Sequence, residues 1–370
     1  MAAETEARKQ RQVALQAYLD DQKRLMRVSY PILSKGSDLC GEDIRYTTGM
    51  ALANSSTLLG EQFRETAEAH YQLSDRVQVV YVVPGSAADQ AGVRAGDVLT
   101  QVGTWSVTAS GNGGPEGVKQ TLNQIQTQTR NGQSLRLDVL RVNAPPADKN
   151  KDKNKDKGTN KADKSLTTGM ERGQSLLLAP DRSCSYPVVL GNGDEVNAYA
   201  DGKQVVIQRG MMRFAGNDTE LGLVISHEIA HNSMSHMRSK MTNYALGSIL
   251  DIAAQILLKV PTQGLFGSLG GNAYSQDFEA EADYVGLYIL AQSGGNIDEA
   301  PQFWRRMATL SPAAIQSSHM STHPATPERF VALEETVKEI RAKQRAGKPL
   351  IPNVKNAPDL AAESLSPSNK

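Results

Sequence analysis

Apolar residues along this chain change period several times, and each change predicts an element. Leu221, Val224, Ile225 and Ile229 recur at helical spacing and form one stripe. Asn217-Asp218-Thr219 precedes it with N-cap candidates, and Glu220 puts an acid in the first turn, where the helix dipole favours it. A second helical run follows the acid cluster at 277–283: Phe278, Ala282, Val285 and Ile289 share a stripe, and Gly294-Gly295 supplies the stop. Residues 77–83 are rich in β-branched side chains and read as a strand, Pro84-Gly85-Ser86-Ala87-Ala88 turns into a short helix, and 134–142 makes a further strand. Residues 197–207 alternate and also read as a strand. The first 70 residues read as helical, with 4–27 strongly charged and amphipathic. The most apolar segment, 245–260, is interrupted by Asp251, Gln255 and Lys259, so it predicts an amphipathic helix; no run of 18 apolar residues predicts a membrane span.

Composition changes this picture at two places. Residues 147–164 carry seven Lys and four Asp with no apolar run, which predicts a disordered spacer. Its mixed charges and lack of aromatics disfavour nucleic-acid binding, and 40 basic against 40 acidic residues give no global charge for nucleic acid or anionic lipid. The expected organisation is therefore an N-terminal helical segment (1–70) on a C-terminal domain, a small β-rich unit (71–145), a linker (146–168), a helix-rich domain with a small edge-exposed sheet (169–345), and a disordered tail (346–370). The fold class is α+β.

The chemistry sits on the first of the two helices. His227-Glu228-Ile229-Ala230-His231 places two imidazoles at i and i+4, one above the other on a single helix face. Two such imidazoles can share one zinc ion, and the intervening Glu228 can activate water beside it. Zinc requires a third protein ligand. Met234 and Met237 stand where a metzincin carries Gly and His, so that class is disfavoured. A carboxylate is the alternative, and between His231 and Gln276 the only acid is Asp251. Acids then cluster in Asp277-Phe278-Glu279-Ala280-Glu281-Ala282-Asp283. Glu279 and Asp283 share a face at i,i+4, which allows Asp283 to orient a ligating histidine while Glu279 reaches the metal; Glu281 points elsewhere.

These motifs resemble the HtpX-like and CAAX-prenyl-endopeptidase group of zinc metallopeptidases, over roughly residues 175–340. The likeness rests on His-Glu-Ile-Ala-His followed by Glu279-Ala-Glu-Ala-Asp283, on Val196-Asn197-Ala198-Tyr199-Ala200-Asp201-Gly202, on Asn217-Asp218-Thr219-Glu220-Leu221, and on Ser321-Thr322-His323-Pro324 with Arg329 beyond. It implies a zincin-type fold and one Zn2+ per chain held by His227, His231 and Glu279. It further implies peptide-bond hydrolysis with Glu228 as general base, and an edge strand at Asn197, Ala198 and Tyr199 beside the cleft. His323 is implied either to cap the metal or to stabilise the tetrahedral intermediate; packing of its own Pro-containing turn is the competing reading. Arg329 reads as a structural ion-pair partner.

The 71–145 unit, with Pro84-Gly85-Ser86, Ala91-Gly92 and Gly96-Asp97, resembles a PDZ domain of the bacterial protease-associated kind. That likeness implies binding of chain termini or extended peptides by strand addition, although no short carboxylate-binding loop is evident before Arg76. Cys40 and Cys184, the only cysteines, are compatible with one disulfide or with two buried thiols. No signal peptide stands at the start, and the chain is expected to follow a removed export signal, which favours the periplasm or cell envelope, with secretion as the alternative. Two functions compete: an endopeptidase acting on unfolded or misfolded envelope polypeptides, and a self-inhibited or chaperone-like module whose PDZ-like unit recruits partners.

Overall fold

The computed structural model describes residues 2–107, 115–142, 171–234, 275–310 and 327–353. The expected linker, the 245–260 segment, His323 and the end of the expected tail lie outside the described residues. The chain divides into two compact units, one of residues 1–19 and 47–181, the other of residues 20–46 and 182–370. The elements in chain order are α1 (Ala2–Lys35), β1 (Ile44–Thr47), β2 (Met50–Ala53), α2 (Arg64–Tyr71), β3 (Gln78–Val82), α3 (Ala87–Gln90), β4 (Val98–Val102), β5 (Trp105–Ser106), α4 (Pro115–Gln128), β6 (Leu135–Val142) and β7 (Glu171–Leu178). They continue with β8 (Asp181–Cys184), β9 (Val188–Leu190), β10 (Ala198–Ala200), β11 (Val205–Ile207), α5 (Arg209–Phe214), α6 (Asp218–Ser233), α7 (Ser275–Gln292), α8 (Ala300–Ala308) and α9 (Pro327–Arg345). No helix among the described residues is long and apolar enough to cross a membrane.

The first unit is built on a sheet of order β2-β3-β4-β6-β7, with β5 paired to β4. Two signature segments of the sequence have plain structural jobs there. Gly85 takes a positive φ of 75°, its N–H donates to Asp89 Oδ2 at 2.7 Å, and the Ser86 hydroxyl caps α3 by accepting from Asp89 N–H at 3.3 Å. Gly96, at φ 93°, delivers the buried Asp97 carboxylate, which accepts from Arg94 N–H at 2.8 Å and from both ends of the Arg141 fork at 2.6 Å. Val79, Leu99, Val102, Val118, Ile125, Leu135, Leu137 and Leu178 fill its core.

Two features depart from the sequence reading. Residues 44–53, read as part of a helical segment, form β1 and β2, and β2 joins the PDZ-type sheet beside β3. Met50 and Ala53 are buried at the two ends of β2, and so short a run between helices hides the strand in the sequence. Strand β7, assigned to the C-terminal domain from its position after the Lys/Asp run, pairs antiparallel with β6 along eight residues from Leu135↔Leu178 to Val142↔Glu171. Leu178 there closes the core made by Leu135 and Leu137.

The second unit is mostly helical. It contains a three-stranded sheet of order β10-β11-β9, with β11 parallel to β9 and antiparallel to β10, and a two-stranded sheet of β1 and β8. The Asn217 side chain caps α6 by accepting from Glu220 N–H at 2.9 Å. Glu220 reaches back to Gly216 N–H at 2.7 Å and receives both arms of Arg306 at 2.7 Å. This double cap fixes the start of a helix buried continuously from Glu220 to Asn232. Helix α7 packs along α6 and contributes Val285, Tyr288 and Ile289 to the same core. Cys40 and Cys184 form a disulfide with Cα atoms 5.6 Å apart and a sequence separation of 144. A loop of that size places the gain from constraining the unfolded chain at about 5 kcal/mol by the chain-entropy model.

Candidate metal centre

Helix α6 supplies His227, Glu228 and His231, and α7 supplies Glu279 and Asp283; all five are buried. The two helices approach closely because Gly286 lies on α7 opposite His227. A Cβ at 286 would stand 3.0 Å from His227 Cα and 3.1 Å from its nitrogen, and backbone there has little freedom to move aside. Gly286→Ala is therefore expected to push the helices apart and cost about 1–3 kcal/mol. Affinity for a metal between these helices should fall with it, and thermal melts paired with titration against a competing chelator check both effects.

The donor atoms converge. Nε2 of His227 and Nε2 of His231 lie 3.1 Å apart, His227 Nε2 lies 3.4 Å from Glu279 Oε2, and His231 Nε2 lies 3.3 Å from Glu279 Oε1. The three residues are the one group among the described residues whose ligand atoms all fall within 4.8 Å of one another. A tetrahedral ion with bonds of about 2.0–2.1 Å holds its ligand atoms about 3.3 Å apart, so the donor set fits zinc in both spacing and chemistry.

Behind these donors stands a charged second layer. Nδ1 of His227 lies 3.1 Å from Asp283 Oδ1, which leaves Nε2 facing the other ligands. Arg329 on α9 grips Asp283 with two hydrogen bonds, Nε to Oδ2 at 2.8 Å and Nη2 to Oδ1 at 2.9 Å, and its Nη1 lies 3.2 Å from Glu279 Oε2. One buried guanidinium thus fixes a metal-ligand candidate and the carboxylate behind another. Trp304 on α8 closes the side of the site, its ring 4.9 Å from the His227 ring and 5.9 Å from the Arg329 Cζ.

Electrostatics follow from this arrangement. Burial opposes charge on His227, but the Asp283 and Glu279 carboxylates outweigh it and push its pKa up to about 10. His231 moves the other way, down, because burial dominates there. Burial by itself pushes the Asp283 carboxyl up, yet Arg329 and His227 hold it below the usual range. Among the described residues, Glu228, Glu279 and Asp283 bring three buried carboxylates to the site, and Arg329 and His227 lie against two of them, Glu279 and Asp283.

Of the other residues singled out in the sequence, Ala198 and Tyr199 lie in β10 and Asn197 just precedes it. Among the described residues β10 ends its sheet, with Tyr199 about 40% exposed and Ala198 and Ala200 buried. Trp304 and Gly286 carried no sequence signal, because both act through partners far away in the chain.

A buried His-Xaa-Xaa-Xaa-His pair with a glutamate from a second helix as third donor defines a His, His, Glu centre of the metallopeptidase kind. Residues 161–337 match the model of peptidase family M48 and residues 78–113 that of the PDZ domain. The likeness reaches the M48 family as a whole and does not single out its HtpX-like or CAAX-prenyl-endopeptidase branch. Among its relatives, the beta-barrel assembly-enhancing protease of Yersinia pestis is 31% identical over 158 residues, covering 38% of this chain and 32% of that protein. The Escherichia coli K12 protein of the same name is 28% identical over 170 residues, 40% of this chain and 34% of that one. The mitochondrial metalloendopeptidase OMA1 of Arabidopsis thaliana is 27% identical over 156 residues, 41% of this chain and 31% of that one. The chain spans about a third of the length of these curated relatives.

Proposed function

We propose that this chain is a zinc-dependent endopeptidase that hydrolyses peptide bonds of unfolded or misfolded envelope polypeptides. The convergence of His227, His231 and Glu279 within 4.8 Å, with Glu228 on the same buried turn, is the observation that carries the reading. Bound there, zinc would supply a Lewis acid that acidifies water and polarises the scissile carbonyl. Glu228 takes the proton from the attacking water and returns it to the leaving amine. Asp283 keeps Nε2 of His227 available for coordination, and Arg329 holds both acids in place. Elemental analysis tests the site: one zinc per chain is expected in the native protein, and His231→Ala should lose it. Retention of stoichiometric zinc in that variant would remove His231 from the ligand set.

Strand β10 is the proposed substrate strand, and the ladder supports a finer assignment. Asp201 N–H bonds the Gln204 carbonyl at 3.2 Å, and Gln208 N–H bonds the Asn197 carbonyl at 3.1 Å. In an antiparallel pair such bonded positions alternate, so Asn197, Tyr199 and Asp201 bond inward to β11. Ala198 and Ala200 then turn their backbone N–H and C=O groups away from β11; both residues are buried, so an extended substrate that adds main chain to main chain there displaces what covers them. Ala200→Pro removes one outward donor without touching the β10–β11 ladder. Its KM for an unfolded polypeptide should rise about three- to tenfold, the loss of one hydrogen bond. An unchanged KM would reject the strand.

The PDZ domain is proposed to recruit extended peptides along β2. Among the described residues that strand ends its sheet, α4 contacts it, and Gly49, at φ 77°, leads into it after Thr47-Thr48. Calorimetric titration of the full Glu228→Gln chain with unstructured peptides is expected to show binding that a Met50→Pro change abolishes; no heat at millimolar peptide would count against recruitment. A disulfide that closes a long loop suits an oxidising compartment, and the names of the two bacterial relatives refer to β-barrel assembly, so the periplasm or cell envelope is the proposed location.

A further inference from the structure

We propose that Asn232 is a positioning residue that sets the register of strand β10 against the metal-ligand helix; this rests on the reading of β10 as the substrate strand. The side chain is buried and both ends of its amide are engaged. Gly202 N–H donates to Oδ1 at 2.8 Å, and Nδ2 donates to the Gln204 carbonyl at 3.1 Å. Both partners belong to the turn that joins β10 to β11.

That turn closes without outside help. The Asp201 carboxylate accepts from the N–H groups of Lys203 and Gln204, each at 2.8 Å. Gly202 takes the positive φ of 85° that the bend requires. The Asn232 bonds are therefore surplus to forming the hairpin, and their effect is to fasten it to α6. Asn232 directly follows His231, so the tie runs from a metal-ligand candidate through one peptide unit to the base of the outer strand. Helical propensity does not explain the residue, since Asn is a poorer helix former than Ala or Leu. A donor and an acceptor on one short, rigid group can satisfy a carbonyl and an N–H two residues apart in one relative position only. A slip of the hairpin along α6 would break both bonds and leave the buried Asn232 amide unpaired.

A single residue thus connects where the substrate's main chain lies and where its carbonyl meets the metal. Asn232→Asp is the sharpest probe, because it is nearly isosteric and keeps the acceptor for Gly202. It replaces the donor to Gln204 with an oxygen that repels the carbonyl.

The test compares Asn232→Asp and Asn232→Ala with the native chain on reduced, alkylated casein, with zinc content, melting temperature and cleavage sites recorded together. KM is expected to rise about tenfold with kcat changed less than about threefold, matching the loss of one to two partly buried hydrogen bonds. Zinc should remain at one per chain, and cleavage should spread to neighbouring bonds as the register loosens. A residue that only stabilises the fold would lower the melting temperature and leave KM and cleavage sites as in the native chain, which would overturn the proposal. Loss of zinc at unchanged KM would overturn it too. Should Asn232→Ala fail to fold, Asn232→Asp carries the same readouts. Ala200→Pro separates the two levels. If it leaves KM unchanged, the substrate-strand reading fails and this proposal with it. If it raises KM while the Asn232 variants do not, the strand stands and only the role of Asn232 is lost.

Discussion

Glu228→Gln is expected to lower kcat on an unfolded polypeptide by about 10²- to 10⁴-fold, the range for removing a positioned general base. The amide matches the carboxylate in shape, so α6, which is buried on all sides here, should keep its packing. Zinc should be retained, because Glu228 is not among the three convergent donors. KM should move little, since nothing on the outer strand is altered. The expected signature is thus a folded, metal-loaded protein that binds substrate and does not cut it. Single-turnover assays on zinc-loaded protein check it, and cleavage at the native rate would remove Glu228 from the proton-transfer role.

Arg329→Met carries the largest expected effect on stability. The guanidinium is buried, and its removal leaves His227 to offset the Asp283 and Glu279 carboxylates in a low-dielectric site. Breaking such a buried ion-pair network from one side costs about 3–5 kcal/mol. Methionine retains the packing against Trp304, so the loss isolates the charge. The metal-free protein should bear most of this cost, because a bound dication supplies positive charge to the same carboxylates. Zinc affinity should also fall by about 10- to 100-fold, as expected when the groups that orient ligands are lost. Arg329→Lys should restore only part of the stability, because a point charge cannot make two parallel bonds to Asp283. Urea melts of metal-free and zinc-loaded protein, with chelator competition, separate these effects. A native melting curve for the metal-free variant would contradict the network.

How much of this was legible in the sequence depends on the range over which each feature acts. The two histidines, Glu228 and the cap at Asn217 lie within one helix, and helical periodicity displays them directly. Glu279 and Asp283 were marked by an abrupt return of acids after a nearly acid-free stretch, together with family resemblance. The grip of Arg329 on Asp283 spans 46 residues, and one arginine among many carries no mark of its partner. Strand β7 stayed hidden for a related reason: its pairing with β6 crosses the Lys/Asp run, which reads as a boundary because it cannot bury surface. Likewise Asn232 looks like the tail of a motif helix until the hairpin turn is seen beside it. Local periodicity was readable, and long-range pairing was not.

The central claim is that His227, His231 and Glu279 hold a zinc ion that Glu228 uses to cut polypeptides. Cleavage of reduced, alkylated casein by native, chelator-stripped and zinc-restored protein measures it most directly. The account predicts no cleavage after stripping, recovery with one equivalent of zinc, and no recovery in zinc-loaded Glu228→Gln. Full-rate cleavage by stripped protein, or by zinc-loaded Glu228→Gln, would contradict it.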